Sequence, residues 1–255
     1  MGLFDKKYCD VCGAKIGLFG NRKLADGNLC KDCAAKLSPW FSDRRESTVA
    51  EIREQLAYRE ENRKAVAAFR TTRTLGMTAK VLIDEDAGKF LVTRSGRLED
   101  ENPDVLDLSQ VTGCTMNIHE TMDEEMRTNS EGKQVSYSPR RYKLSYQFDM
   151  VINVNAKWFD EIDFSLSPWP IEIEAVQSGY RVPTSEDGVT SPEYQQYEQL
   201  GNEIVRELTR AREEARAERE NAEKPRTAVT CPHCGATTFG DANGRCEFCG
   251  GSLDH

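Results

Sequence analysis

The chain has 255 residues, 30% of them charged and 38% hydrophobic, enough for one large domain or several small ones with a modest core. Its formal net charge is −9. No apolar run approaches the roughly eighteen residues that a membrane-spanning helix needs, and Gly and Pro are too few for a disordered chain.

The charge is unevenly spread. Residues 1–47 carry nine Lys/Arg against six Asp/Glu, 48–223 carry 22 against 34, and 224–255 carry three of each. The middle should repel phosphate backbones, and only the N-terminal end is basic. The first residues show no charged-then-apolar leader, so a reducing, cytoplasmic interior is expected. There, closely paired cysteines read as metal ligands rather than disulfides.

Residues 1–42 form a first cysteine module, CDVCGAKIGLFGNRKLADGNLCKDC, with Cys9, Cys12, Cys30 and Cys33 in a C-x2-C-x17-C-x2-C array. Each Cys-x-x-Cys turn supplies two ligands, and two turns complete the tetrahedron that structural zinc takes. Gly13 follows the first pair and suits a left-handed turn that aims backbone N–H groups at the thiolates. Cys30/Cys33 lacks that glycine and runs into Ala-Ala-Lys-Leu, so Cys33 should lie in the first turn of a short helix, whose positive end favours thiolate. Ile16, Leu18, Phe19 and Leu24 are the expected minimal core.

Residues 43–73 read as a linking helix, capped by Ser42 or Asp43 with Glu46 in its first turn. Its stripe of Val49, Ile52, Leu56, Arg59, Arg63, Val66 and Phe69 or Arg70 is apolar at the ends and wet in the centre. Over 74–190 the period changes to two. Strands are expected at 78–92, around Thr112–Thr121, at 140–155 with Leu144, Tyr146 and Phe148 on one face, at 158–167 and at 171–176. Between Met122 and Pro139 lies a polar segment read as a mobile loop. Residues 191–224 form a second helix with Pro192 in its first turn and a stripe of Tyr194, Tyr197, Leu200, Ile204, Leu208 and Ala211. Past Ala211 the helix is charged and solvated, and Pro225 ends it.

Residues 225–255 hold Cys231, Cys234, Cys246 and Cys249 as C-x2-C-x11-C-x2-C, with Gly235 and Gly250 after the two pairs. This second array is expected to hold a second structural Zn²⁺. His233 sits inside a pair that already has four cysteines to complete its site, so it is read as exposed. His119, His255 and Cys114 make no catalytic constellation, and Cys114 reads as a small buried residue.

The N-terminal words Ile16–Gly20 and Lys23–Gly27, set between the two cysteine pairs, resemble an uncharacterised bacterial zinc-finger family, domain of unknown function 4428, over about 40 residues. The middle is similar to bacterial pleckstrin-homology-like or GRAM-like domains, and the tail resembles generic zinc ribbons. The resemblances imply an α+β chain: a treble-clef-like finger, a linking helix, a PH-like antiparallel sheet closed by a C-terminal helix, and a zinc ribbon. They imply no enzymatic activity.

With no Gly-rich phosphate loop, nucleophile elbow or HExxH, an enzyme is not expected. The expected function is a zinc-binding protein-interaction adaptor. The alternative is nucleic-acid binding through Arg22, Lys23, Lys31, Lys36, Arg44 and Arg45, with Phe19, Trp40 and Phe41 to stack on bases. A third reading is lipid-headgroup binding led by Arg140, Arg141 and Lys143, although stable membrane attachment usually needs more charge than this. Within the finger, Arg22, Lys23 and the Trp40–Phe41 edge are the expected working surface.

Overall fold

A computed structural model describes residues 7–223, 228–239 and 244–253. By compactness the chain divides between Glu213 and Glu214. Among the described residues all strand pairings are antiparallel, and helices and sheets are mixed as an α+β chain requires.

In the first unit, β1 (Lys7–Tyr8) pairs with β2 (Lys15–Ile16), and β3 (Arg22–Lys23) pairs with β4 (Asn28–Leu29). The short helix α1 (Lys31–Ala34) follows, with Cys30 as its N-cap. The apolar core of this module is Ile16, Leu24, Leu29 and Leu37 packed with Cys9, Cys30 and Cys33. Leu18 and Phe19, expected in that core, instead stand 80% and 88% exposed. They occupy a turn that points them outward, and the finger fills its interior from the next helix: Ile52 is wholly buried in the same cluster.

That helix, α2, spans Val49–Ala68 rather than starting at 43. Residues 43–45 form one 3-10 turn, and Thr48 is the true cap. Its hydroxyl accepts from the Glu51 N–H, while the Glu51 carboxylate accepts from the Thr48 N–H at 2.7 Å, a reciprocal capping box. The chain is turned before Thr48 because Ala25 N–H bonds to the Ser47 carbonyl at 2.9 Å, tying the helix entrance to the finger.

Of the two arginines at the centre of the stripe, Arg63 is exposed as expected but Arg59 is buried. Gln55, Arg59 and Asn62 are buried with Ile52 and Val66. The polar face of the helix is matched by a polar loop after α3 (Leu98–Glu101), whose residues Asn102 and Asp104 are themselves buried. Asn62 donates to the Pro103 carbonyl at 2.7 Å and accepts from the Val105 N–H at 2.9 Å. Asn102 adopts φ 53° and donates its side-chain amide to the Arg59 carbonyl at 3.0 Å. A stripe with arginine at its middle thus docks against the facing loop, which supplies partners for both Arg59 and Asn62.

Two four-stranded sheets follow. β5 (Arg73–Gly76), β6 (Lys80–Asp84), β7 (Lys89–Thr93) and β8 (Leu106–Asp107) form a meander in that order. The second sheet is built on β10 (Gln134–Val154), paired with β9 (Val111–Thr128) and with β11 (Glu161–Ser165) and β12 (Ile171–Val176). Leu144, Tyr146, Phe148, Met150 and Ile152 alternate on its buried face and are fully buried. Helix α4 (Pro192–Glu223) covers that face. Tyr194 packs edge-on against Tyr146 and Phe148, with ring centroids 4.9 and 5.1 Å apart, and Ile204 and Leu208 are fully buried.

Residues 122–139, expected as a mobile loop, are instead the distal arms of the β9–β10 hairpin. The turn proper is 129–133. The Asn129 side chain accepts from the N–H groups of Glu131 and Lys133 at 3.0 and 2.9 Å, and Gly132 has φ 78°. Polar composition misled here because the arms are exposed; a hairpin whose backbone pairs internally does not need an apolar face at every residue.

In the second unit, β13 (Val229–Thr230) pairs with β14 (Thr237–Thr238). Pro225 and His255 lie outside the described residues.

Candidate metal centres

The backbone around three of the four cysteine pairs repeats one pattern. Cys9 N–H bonds to the Ala14 carbonyl and Gly13 N–H to the Cys9 carbonyl, both at 2.8 Å. Cys231 with Ala236 and Gly235 does the same at 2.8 and 2.9 Å, and Cys246 with Gly251 and Gly250 at 2.8 and 2.8 Å. Gly13, Gly235 and Gly250 have φ of 74°, 72° and 71°, the left-handed conformation that the sequence required of them. The fourth pair is built as expected on a helix: Cys30 Sγ accepts from the Cys33 N–H at 3.3 Å, and Cys33 lies in α1.

These turns converge the thiols. Cys9, Cys12, Cys30 and Cys33 form one group and Cys231, Cys234, Cys246 and Cys249 another, each with its sulfur atoms within 4.8 Å of one another. Each group could therefore hold a metal ion. Cys12 and Cys30 sulfurs lie 3.7 Å apart, and Cys231 and Cys249 sulfurs 3.6 Å apart. Four convergent thiols, with no carboxylate in the group, are a soft donor set that suits a tetrahedral d¹⁰ ion.

The local electrostatics are prepared for thiolate. Burial works against ionising Cys9, yet the N–H groups of Cys12, Cys30 and Val11 outweigh it and bring its thiol down to about 6. At Cys231 burial again opposes, and the N–H groups of Cys234 and His233 prevail, giving about 6. The remaining sulfurs then resist. Burial and hydrogen bonding to its three neighbours push Cys33 up. Cys249 rises to about 12: the Gly251 N–H works to lower it, and its shared bonds with Cys234 and Cys231 prevail. A dication held by the four sulfurs would remove this conflict by stabilising all four charges at once.

His233 is exposed and outside its cysteine group. Its ring packs over Gly251, where an added Cβ would meet the ring carbon at 2.5 Å. Cys114 is half-buried on β9, and burial pushes its thiol up to about 12. His119 is exposed, with Nε2 3.7 Å from an Asp149 carboxylate oxygen.

The expected working surface of the finger is divided. Phe41 stacks edge-on against Trp158 with centroids 6.0 Å apart, and Trp40 lines a small cleft with Ala79, Val92 and Phe164. The Trp40–Phe41 edge is therefore partly covered by the sheet region, and both residues are half-buried. Arg44 Nη1 bonds to the Lys23 carbonyl at 3.0 Å, while Lys23, Lys31, Lys36 and Arg45 are exposed and Arg22 half-buried. In the middle, Arg140 pairs with Glu124 at 3.5 Å and Lys143 with Glu172 at 2.9 Å, and Arg141 lies 4.5 Å over the Tyr137 ring.

Sequence reasoning missed the group that holds the finger to the sheets. Arg59 Nη1 donates to Asp104 at 2.7 Å, Ser38 and Tyr58 donate to the same carboxylate at 2.7 and 3.0 Å, and Arg59 Nε reaches the Lys36 carbonyl at 3.3 Å. Burial and the Asp104 charge push the Tyr58 hydroxyl up. The signal was an arginine in the middle of a helical stripe.

No curated protein and no solved structure matches this chain. Residues 7–55 match one family model, described as a domain of unknown function (DUF4428); the match spans the first cysteine group, the 3-10 turn and the N-terminal end of α2.

Proposed function

We propose that this chain is a non-enzymatic, zinc-binding modular protein of the cytoplasm that acts as a protein-interaction adaptor, with two structural Zn²⁺. The observation that carries the reading is the pair of four-cysteine groups, each gathered by turns whose N–H groups stabilise thiolate. Zinc is the metal favoured by an all-thiolate donor set. The first group, followed by α1, is read as a treble-clef-like finger, and the second, with glycine turns at both pairs, as a zinc ribbon. The two antiparallel sheets followed by α4 support a PH-like reading of the middle. In this reading the eight paired cysteines, which fall into two groups that could each hold a metal ion, serve structure rather than catalysis.

Affinity purification of the full-length protein from its native host tests the adaptor role. A defined partner recovered with the wild type, and lost with a C9S/C12S variant, is expected. Recovery of no stable partner contradicts the reading.

Nucleic-acid binding is the second reading, favoured by Arg22, Lys23, Lys31, Lys36, Arg44 and Arg45, none of which joins an ion pair among the described residues. A salt-titrated mobility shift with single- and double-stranded probes decides it.

A further inference from the structure

The finger spends its apolar residues unequally. Ile16, Leu24, Leu29 and Leu37 fill its core, whereas Leu18 and Phe19 stand 80% and 88% exposed. The two sit between Gly17 and Gly20, in a turn closed by a Gly20 N–H to Gly17 carbonyl bond of 3.0 Å. The turn leaves both side chains in solvent and outside the core cluster, so nothing about the fold of the finger accounts for placing a leucine and a phenylalanine there.

The surroundings of the tip are cationic. Lys15 precedes it on β2, Arg22 and Lys23 follow it on β3, and Lys31 opens α1. Arg22 is tied to the tip itself, its Nη1 3.4 Å from the Phe19 carbonyl. An open cleft of about 380 Å³ against the turn is lined by Leu18 and Phe19 themselves, with Lys15, Lys31 and one carboxylate, Asp32. In the sheet region, by contrast, Arg140 and Lys143 are spent on the carboxylates of Glu124 and Glu172.

We propose that the Leu18–Phe19 tip, with Lys15, Arg22, Lys23 and Lys31 around it, is a membrane-contacting surface that seats on an anionic bilayer. Aliphatic and aromatic side chains at the tip enter the headgroup–acyl boundary, and the lysines remain at the level of the lipid phosphates. An exposed apolar tip needs no complementary groove in a fluid interface, whereas a protein partner would have to provide a pocket for it. Nucleic acid fits less well, because Leu18 offers no ring to stack and Phe41 is already engaged with Trp158. The charge distribution favours the contact through this end: residues 1–47 carry nine Lys/Arg against six Asp/Glu, whereas 48–213 carry 20 against 30 and are repelled by an anionic surface. One tip gives reversible, salt-sensitive binding, not permanent anchoring.

Flotation of the zinc-loaded full-length protein tests this with two vesicle compositions, phosphatidylcholine alone and phosphatidylcholine mixed with phosphatidylglycerol. The expected result is flotation with the mixed vesicles, little with phosphatidylcholine alone, and loss of binding as salt is raised. L18S/F19S should weaken partition by about tenfold or more, and K15E/K31E by several fold. Unchanged zinc content and circular dichroism show that these variants fold. In F19W, indole emission should shift to the blue when mixed vesicles are added. The proposal is overturned if the wild type stays unbound to mixed vesicles at low salt, if L18S/F19S floats as well as the wild type, or if the same residues prove to bind single-stranded nucleic acid and not vesicles.

Discussion

Arg59 and Asp104 form an ion pair at 2.7 Å with side chains only 6% and 0% exposed, and this pair joins α2 to the loop after α3. Asp104 also accepts from Ser38 at the end of the finger, so one carboxylate touches the finger, the helix and the sheet region. A charge this buried is tolerable only because both of its oxygens and the guanidinium are occupied. Asp104→Ala leaves Arg59 uncompensated and should destabilise the first unit by about 3–5 kcal/mol. Urea denaturation followed by tryptophan fluorescence measures it; a loss below about 1 kcal/mol would show that the pair does not hold these parts together.

The helix cap gives a second expectation. Thr48→Ala removes the hydroxyl that receives the Glu51 N–H and should cost about 1 kcal/mol. Bonds from the Thr48 N–H and hydroxyl hold the Glu51 carboxyl below its usual range. Because this folded-state value is depressed, its contribution is present above the ordinary glutamate pKa and is lost as pH falls through the folded value. An NMR titration should find Glu51 titrating low in the wild type and only part of the way back toward the ordinary value in T48A, which keeps the backbone N–H. Identical titration in both proteins counts against the box.

The glycine turns give a third. Gly13 and Gly235 hold φ of 74° and 72°, so Gly13→Ala and Gly235→Ala should each cost about 1–2 kcal/mol of site stability. A Cβ added at either position would meet no atom within 4 Å beyond its chain neighbours, so the cost is backbone strain and not a clash. Competition with a chromophoric chelator reads it as a roughly tenfold weaker metal affinity. Gly251→Ala differs in kind: its Cβ would strike the His233 ring, so H233A should relieve part of its effect.

Metal retention should also fall with acidity. Each ligand must be a thiolate, so loading releases protons and lowering the pH drives the metal out. Titration from neutral to acidic pH with a metal indicator should show release in acid and recovery on return. Retention unchanged in strong acid would exclude thiolate ligation.

Much of the cysteine chemistry was legible because spacing and glycine are local signals. The turn at Gly13 and the helix after Cys30 follow from a few neighbouring residues. The strand at 140–155 was legible from its strict alternation, and α4 from its apolar stripe. What escaped depends on distant partners. Arg59 looks like a solvated position until Asp104 and Asn102, more than forty residues away, are brought against it. Leu18 and Phe19 look like core until Ile52 of α2 fills the finger. The arms at 122–139 look like a loop because pairing between exposed polar strands leaves no apolar periodicity to read.

The most direct test of the zinc-binding reading is elemental analysis of the purified full-length protein with chelation. Two Zn²⁺ per chain are expected, falling to one in C9S/C12S and to one in C231S/C234S. Chelation should unfold both cysteine modules. A folded protein that holds no metal, with both modules intact after chelation, would contradict the account.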